Sequence, residues 1–272
     1  MRARVTIGVV IVLGLFLTLL FQSESVVSLL RTANTTSVSG GVLPSEVSAR
    51  NVLVTNLSVG EIVYAKKEDE VRPIASITKL FTAYAVYTSS GLDTEGVITW
   101  SDLATEGDAG SLSSGDLYTP RELLFPLLLL SSNDAGSALL RMIGEGVFAE
   151  RTQALTRQAD LTSTRIVGST GLDSENTSTA RDLTKLLSYM HMETPYLLDI
   201  TQLSAYQGTH AGWLNNNPGV TFEGWRGGKH GYLPEAGRTF VGLFERGGSL
   251  YAIVLLGSEN LARDLKTILE TI

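Results

Sequence analysis

Asn51-Val-Leu-Val-Thr55 and Glu61-Ile-Val-Tyr-Ala65, joined through Ser58-Val59-Gly60, are two β-rich runs about a glycine turn, the pattern of a hairpin. The far end of the chain mirrors it. Arg238–Phe244 and Leu250–Leu256 are apolar, β-rich runs separated by Arg246-Gly247-Gly248, and Asn260–Ile272 reads as a closing amphipathic helix. The middle is helical instead. Thr119-Pro120-Arg121-Glu122 is a helix start, with Thr as N-cap, Pro at the first position and Glu to close a capping box. Its apolar run, Leu123–Leu130, is too short to span a membrane and reads as buried core. A second box, Thr179 with Asp182, opens a helix through Met190. Strands at both ends with helices between them predict an α/β fold of the α+β type. One antiparallel sheet, completed by both ends of the chain and flanked by helices, carries an inserted helical lobe. A cleft between sheet and lobe is the expected place for a site.

The N-terminus has a different character. Arg2 and Arg4 precede an apolar stretch, Val5–Phe21, which reads as an export signal. Gln22-Ser-Glu-Ser25 follows without a small-residue cleavage site, so residues 1–25 are expected to be a signal anchor rather than a removed signal peptide. The basic flank would stay inside and the rest of the chain outside the membrane. Residues 26–48, rich in Ser, Thr, Gly and Asn, read as a linker, and 49–272 as the catalytic domain. A net charge of −7 argues against nucleic acid and anionic lipid as partners. The chain has no cysteine, which excludes disulfides, thiolate catalysis and Cys-based metal centres. Its three histidines, His191, His210 and His230, lack metal-ligand spacing, so neither metal nor other cofactor is expected.

Three short elements carry chemistry. Ser76-Ile-Thr-Lys79 places a hydroxyl and an amine three residues apart, on one face of a helix. A serine is a poor nucleophile until a neighbouring base takes its proton, and a lysine can serve only if desolvation or a second cation lowers its pKa. The helix start also offers N–H groups to an oxyanion. Read alone, this is also an ordinary helix with a Ser and a Lys. Ser131-Ser132-Asn133 follows the leucine run. It reads either as a polar break, with Asn133 or Asp134 as N-cap, or as a relay hydroxyl and a substrate-holding amide over a cleft. Gly227-Gly228-Lys229-His230-Gly231 precedes the C-terminal strands. It is either a glycine-rich turn with an exposed cation or a strand closely approached by a ligand, with Lys229 for a carboxylate.

Their order is S-x-x-K, then S-x-N, then K-x-G, the set found in active-site serine β-lactamases and penicillin-binding proteins. From about Ala49 onward the sequence resembles the D-alanyl-D-alanine carboxypeptidases, the low-molecular-mass penicillin-binding proteins. Arg72-Pro-Ile-Ala-Ser-Ile-Thr-Lys-Leu-Phe-Thr-Ala83 resembles that family's nucleophile segment, and Glu122–Ala135 its second segment. Thr170-Gly-Leu-Asp173 and Ser178-Thr-Ala-Arg-Asp-Leu183 resemble its connecting motifs. The resemblance implies a DD-peptidase/β-lactamase-like fold. It also implies that Ser76 is acylated by a peptidoglycan stem peptide ending in D-Ala-D-Ala, with Lys79 as base and Ser131 as proton relay. Asn133, Lys229, His230 and Gly231 would line the substrate, and the N–H groups of Ser76 and Tyr232 would form the oxyanion hole. Water would release the shortened peptide, and β-lactams would be covalent inhibitors.

The sequence departs from the family pattern in three ways. Lys229-His230-Gly231 stands where Lys-Thr-Gly is usual; His230 is expected to replace the Thr hydroxyl as an N–H donor, best when protonated, with stronger binding at mildly acidic pH. The family's extra β-rich domain and C-terminal amphipathic anchor are not expected here, and the N-terminal segment would have to do the anchoring. The turn Asn56–Gly60 is looser than the family's Asp-containing version. Two alternatives remain open at this level: a class A-like β-lactamase, although no E-x-x-L-N segment stands between Asn133 and Lys229, and a non-catalytic penicillin-binding sensor or degenerate cell-wall module. A Ser-His-Asp hydrolase finds no G-x-S-x-G.

Overall fold

In the computed structural model, residues 41–107 and 110–272 are described. The signal-anchor reading of residues 1–25, and the linker reading as far as residue 40, lie outside the described residues. From Gly40 onward the chain forms one compact unit.

Both predicted hairpins form, and they share one sheet. Strands β1 (Asn51–Asn56), β2 (Glu61–Lys66), β3 (Trp225–Leu233), β4 (Gly237–Arg246) and β5 (Ser249–Ser258) lie in the order β2-β1-β5-β4-β3. Every pairing is antiparallel, and β1 meets β5 with Leu53 opposite Val254, which joins the first and last strands of this unit. Side chains alternate in direction along a strand, so a sheet covered on both faces needs apolar residues at every position. That is what these strands supply. Val52, Val54, Phe240, Phe244, Ile253 and Leu255 pack on one face with Leu261, Leu265 and Ile268. Leu53, Val241, Leu243, Ala252, Val254 and Leu256 pack on the other, against the helical lobe.

Among the described residues seven α-helices follow: α1 (Thr78–Tyr87), α2 (Pro120–Leu129), α3 (Asn133–Ile143), α4 (Glu145–Gln158), α5 (Ala180–Glu193), α6 (Pro195–Gln202) and α7 (Leu261–Leu269). None is long and apolar enough to cross a membrane. The leucine run is core, as expected: Leu123, Leu124, Leu127, Leu128 and Leu129 are all buried in α2.

The predicted caps form only half of each box. Thr119 accepts from the Glu122 N–H and Thr179 from the Asp182 N–H, both at 3.1 Å. The two carboxylates reach elsewhere. Glu122 accepts from the Thr209 N–H (2.6 Å), and Asp182 from the Ser163 N–H (2.7 Å) and the Thr164 hydroxyl (2.8 Å). Each thereby ties a loop to a helix start, where the dipole favours its charge.

The sheet's outer face is stapled by one carboxylate. Buried Asp264, in α7, accepts from Ser48 N and Oγ, Ala49 N and Ser258 Oγ, at 2.7–3.1 Å. The folded unit therefore already includes Val47 and Ser48, the last residues of the stretch read as linker.

Candidate active site

Ser76 sits in a 3-10 turn, Ala75–Ile77, that runs directly into α1. Two short segments hold this turn. Arg72–Pro73 pairs with Thr177–Ser178, and the Ile74 N–H donates to Asn176 O at 3.0 Å. From the sheet side, Thr239 Oγ1 donates to Ile74 O at 3.0 Å. Ala75 is forced into the left-handed region at φ 49°, a conformation that costs a non-glycine residue free energy and recurs at functional sites.

Lys79 lies one turn on, fully buried. Its Nζ is 2.9 Å from Ser76 Oγ, 2.7 Å from Asn133 Oδ1 and 2.6 Å from the Thr170 carbonyl oxygen. The helical spacing alone predicts the first contact; the other two depend on distant chain. Asn133 is fixed in turn, its Nδ2 donating to Glu106 O at 2.7 Å. Thr170 is presented by a loop built on two side chains. Asn176 Oδ1 accepts from the N–H groups of Val167 and Gly168, and Thr82 Oγ1 of α1 donates to Ser169 O at 2.6 Å.

Ser131 is buried and terminates α2 in the left-handed region, φ 65°, with the Ser132 N–H returning to Pro126 O at 3.0 Å. The cap of α3 is Ser132, whose Oγ accepts from Ala135 N at 3.0 Å. This corrects the reading of Asn133 or Asp134 as N-cap and leaves the Asn133 amide for Lys79.

The third element is the edge strand β3. Lys229 is fully buried and donates to His230 O at 2.8 Å, so it is not the exposed cation of a turn. Gly231 lies against the Ser76 turn: a Cβ there would stand 2.5 Å from Ser76 N. Only glycine lets this strand approach the turn so closely. Tyr232 is exposed, with the Arg238 guanidinium 5.3 Å over its ring.

His230 Nε2 is 2.9 Å from Asn216 Oδ1. Burial, then the charges of Lys229 and Lys79, push its pKa from 6.5 down to about 3. The ring is therefore neutral across pH 5–8, which overturns the expectation that it donates best as a cation. The ratio of wild-type to His230→Thr penicillin acylation rates is expected to stay constant from pH 5 to 8. A ratio that rises towards acid would show the ring titrating there.

Ser76, Lys79, Asn133 and Gly231 thus converge through the contacts above, and Lys229 and His230 adjoin them through the strand. A family profile described as D-alanyl-D-alanine carboxypeptidase matches residues 34–260. The chain belongs to the D-alanyl-D-alanine carboxypeptidase family. That description names a carboxypeptidase and not a β-lactamase. A D-alanyl-D-alanine endopeptidase of Pseudomonas aeruginosa is 35% identical over 178 residues, 64% of this chain and 57% of that protein. The chain therefore matches little more than half the length of that relative. The crystal structure of a D-alanyl-D-alanine carboxypeptidase from Mycobacterium tuberculosis superposes with a TM-score of 0.77 at 26% identity, covering 87% of this chain and 94% of that one. A penicillin-binding protein of Listeria monocytogenes, solved with cefotaxime bound, gives 0.73 at 25% identity over 82% of this chain and 95% of that one. The sheet and lobe expected from the sequence are the fold of these proteins.

Sequence reading missed Thr170 O, Glu106 O and Asn216. The first two are backbone carbonyls, which any residue type supplies. Asn216 stood in Asn215-Asn216-Asn217, a run with no spacing signal.

Proposed function

We propose that the protein is a serine-type D-Ala-D-Ala carboxypeptidase that removes the terminal D-alanine from peptidoglycan stem peptides through an acyl-enzyme on Ser76. The carrying observation is the position of Lys79 Nζ between Ser76 Oγ and two fixed acceptors, Asn133 Oδ1 and Thr170 O. Once it has given up its own proton, the Lys79 amine stays hydrogen-bonded to those acceptors and can accept the serine hydroxyl proton across 2.9 Å. It takes the Ser76 proton as Oγ adds to the D-Ala carbonyl. The N–H groups of Ser76 and Tyr232 stabilise the oxyanion. Ser131 relays the proton to the leaving amine, Asn133 holds the peptide amide, and Lys229 with His230 faces the peptide's C-terminal group. Gly231 makes room for the strand-like substrate. Water then releases the acyl group.

β-Lactams, which mimic the D-Ala-D-Ala terminus, would acylate the same serine, as the cefotaxime-bound relative suggests for the fold. The endopeptidase relative supports a second reading, the same acyl transfer on a cross-linked peptide. In either case residues 1–25 would anchor the enzyme on the outer face of the bacterial cell membrane.

The test is mass spectrometry after incubation with a D-Ala-D-Ala pentapeptide and, separately, with penicillin. A penicillin adduct mapped to Ser76, together with release of D-alanine, is expected. A stable adduct with no peptide cleavage would instead make the protein a sensor, and rapid penicillin turnover a β-lactamase. Lys79→Met, which keeps the packing and removes the base, is expected to slow acylation by about 10²–10⁴-fold. Stopped-flow with a chromogenic cephalosporin measures it; a loss under tenfold would take the base role from Lys79.

A further inference from the structure

Asn216 stands between the two walls of the site. Its backbone N–H donates to Leu129 O at 3.1 Å and its Nδ2 to Leu130 O at 3.0 Å, at the end of α2 immediately before Ser131. Its Oδ1 faces His230 Nε2 at 2.9 Å, on strand β3 beside Lys229. The amide cannot be turned over without setting its oxygen against the Leu130 carbonyl. Oδ1 is an acceptor only, so the hydrogen of the neutral ring must lie on Nε2. Nδ1 then has no hydrogen and presents a lone pair. A threonine hydroxyl at this position could rotate to donate; this imidazole, once held by Asn216, has only an acceptor left.

That polarity matters where a C-terminal group is to be read. A carboxylate offers only lone pairs, and against Nδ1 it meets another. A carboxamide offers N–H groups that Nδ1 can accept, and its oxygen can still take a hydrogen bond from a lysine. A site built around one hydrogen-bond polarity discriminates strongly against a ligand of the other, because the mismatched groups are left unpaired. We propose that Asn216 is a positioning residue that holds His230 as a hydrogen-bond acceptor, so that this enzyme favours peptides whose terminal carboxyl is amidated or otherwise carries a donor. The inference rests on the peptidase reading above and names the substrate class within it.

The test uses N,N′-diacetyl-L-Lys-D-Ala-D-Ala and the same peptide ending in D-alaninamide, with kcat/KM from released D-alanine and D-alaninamide. Wild-type enzyme is expected to cleave the carboxamide at least as well as the carboxylate. His230→Thr should shift the ratio towards the carboxylate by at least tenfold, and Asn216→Ala should shift it the same way by less. The ring nitrogens are read separately by ¹⁵N NMR. With three histidines in the chain, His230 is assigned by its loss in His230→Thr. Wild type should carry hydrogen on Nε2, and Asn216→Ala should populate both tautomers, a change that mere loosening of the fold would not direct. Ratios within twofold across the three proteins would overturn the proposal, as would hydrogen on Nδ1 in the wild type. So would carboxylate cleavage that climbs tenfold per pH unit towards acid, because the ring would then bind as a cation. A penicillin adduct on Ser76 with no selectivity shift sinks only the proposal; no adduct and no cleavage of either peptide sinks the peptidase reading and the proposal with it.

Discussion

Ser76→Ala is expected to give a folded protein that forms no covalent adduct with penicillin and loses about 10⁶-fold in peptide cleavage, the scale seen when a serine nucleophile is removed from a triad enzyme. The fold should survive because the hydroxyl is not needed to satisfy its neighbour. Lys79 keeps Asn133 Oδ1 at 2.7 Å and Thr170 O at 2.6 Å when Ser76 Oγ is gone. Nothing else in the turn depends on that oxygen. Ile77 N–H still donates to Ile74 O, and Thr78 Oγ1 still donates to Ala75 O at 2.8 Å. The stability change should stay within about 1 kcal/mol, the net worth of one hydrogen bond. Thermal unfolding with and without penicillin separates the two effects: the wild type should be shifted by the ligand, and the variant should unfold at nearly the same temperature but show no shift. Residual adduct on the variant would move the nucleophile elsewhere, with Ser131 the first residue to map.

How much of this was legible in the sequence depends on whether the information was local. The i, i+3 spacing of Ser76 and Lys79 fixes their contact because helix geometry does so in any protein. The sheet was legible because β1 and β5 are apolar at successive positions, as a two-sided strand must be. The partners of Lys79 were not legible in full. Asn133 was singled out through its motif, but Thr170 contributes a carbonyl, and its place comes from Thr82 and Asn176 acting on the loop. The charge state of His230 was misread for a related reason. A lone histidine suggests a pKa near 6.5, yet one of the cations that depresses it, Lys79, is 151 residues away and meets it only through the fold. The caps were half legible. Thr119 and Thr179 accept where the box predicts, but Glu122 and Asp182 found tertiary donors that a four-residue window does not contain.

Gly171→Ala is expected to cost both stability and acylation, more than any other single methyl addition around Ser76. Gly171 has φ 85°, and its α-hydrogen faces the Ala75–Ser76 peptide. A Cβ there would stand 2.1 Å from Ala75 O, 2.5 Å from Ala75 C and 3.0 Å from Ser76 N. Neither neighbour is the end of a flexible side chain, so backbone must move. The left-handed conformation costs an alanine about 1–2 kcal/mol, and forcing an extra carbon into packed backbone about 1–3 kcal/mol more. A loss of roughly 2–5 kcal/mol lowers the melting temperature by roughly 5–15 °C for a domain of this size. The catalytic effect follows from what moves. Ala75 is already strained at φ 49°, and the peptide pushed is the one whose N–H is assigned to the oxyanion hole, while Thr170, the next residue, supplies an acceptor to Lys79. Displacing such a constellation by about 1 Å costs about 10²-fold in rate. Gly60→Ala is the matched control. It also has a positive φ, 74°, but nothing lies within 4 Å of its added Cβ. It should lose only the conformational part of the stability and none of the acylation rate. If Gly171→Ala acylates at the wild-type rate at a temperature where it is fully folded, the Ala75–Ser76 peptide is not held where the mechanism needs it, and the oxyanion role of the Ser76 N–H falls with that result.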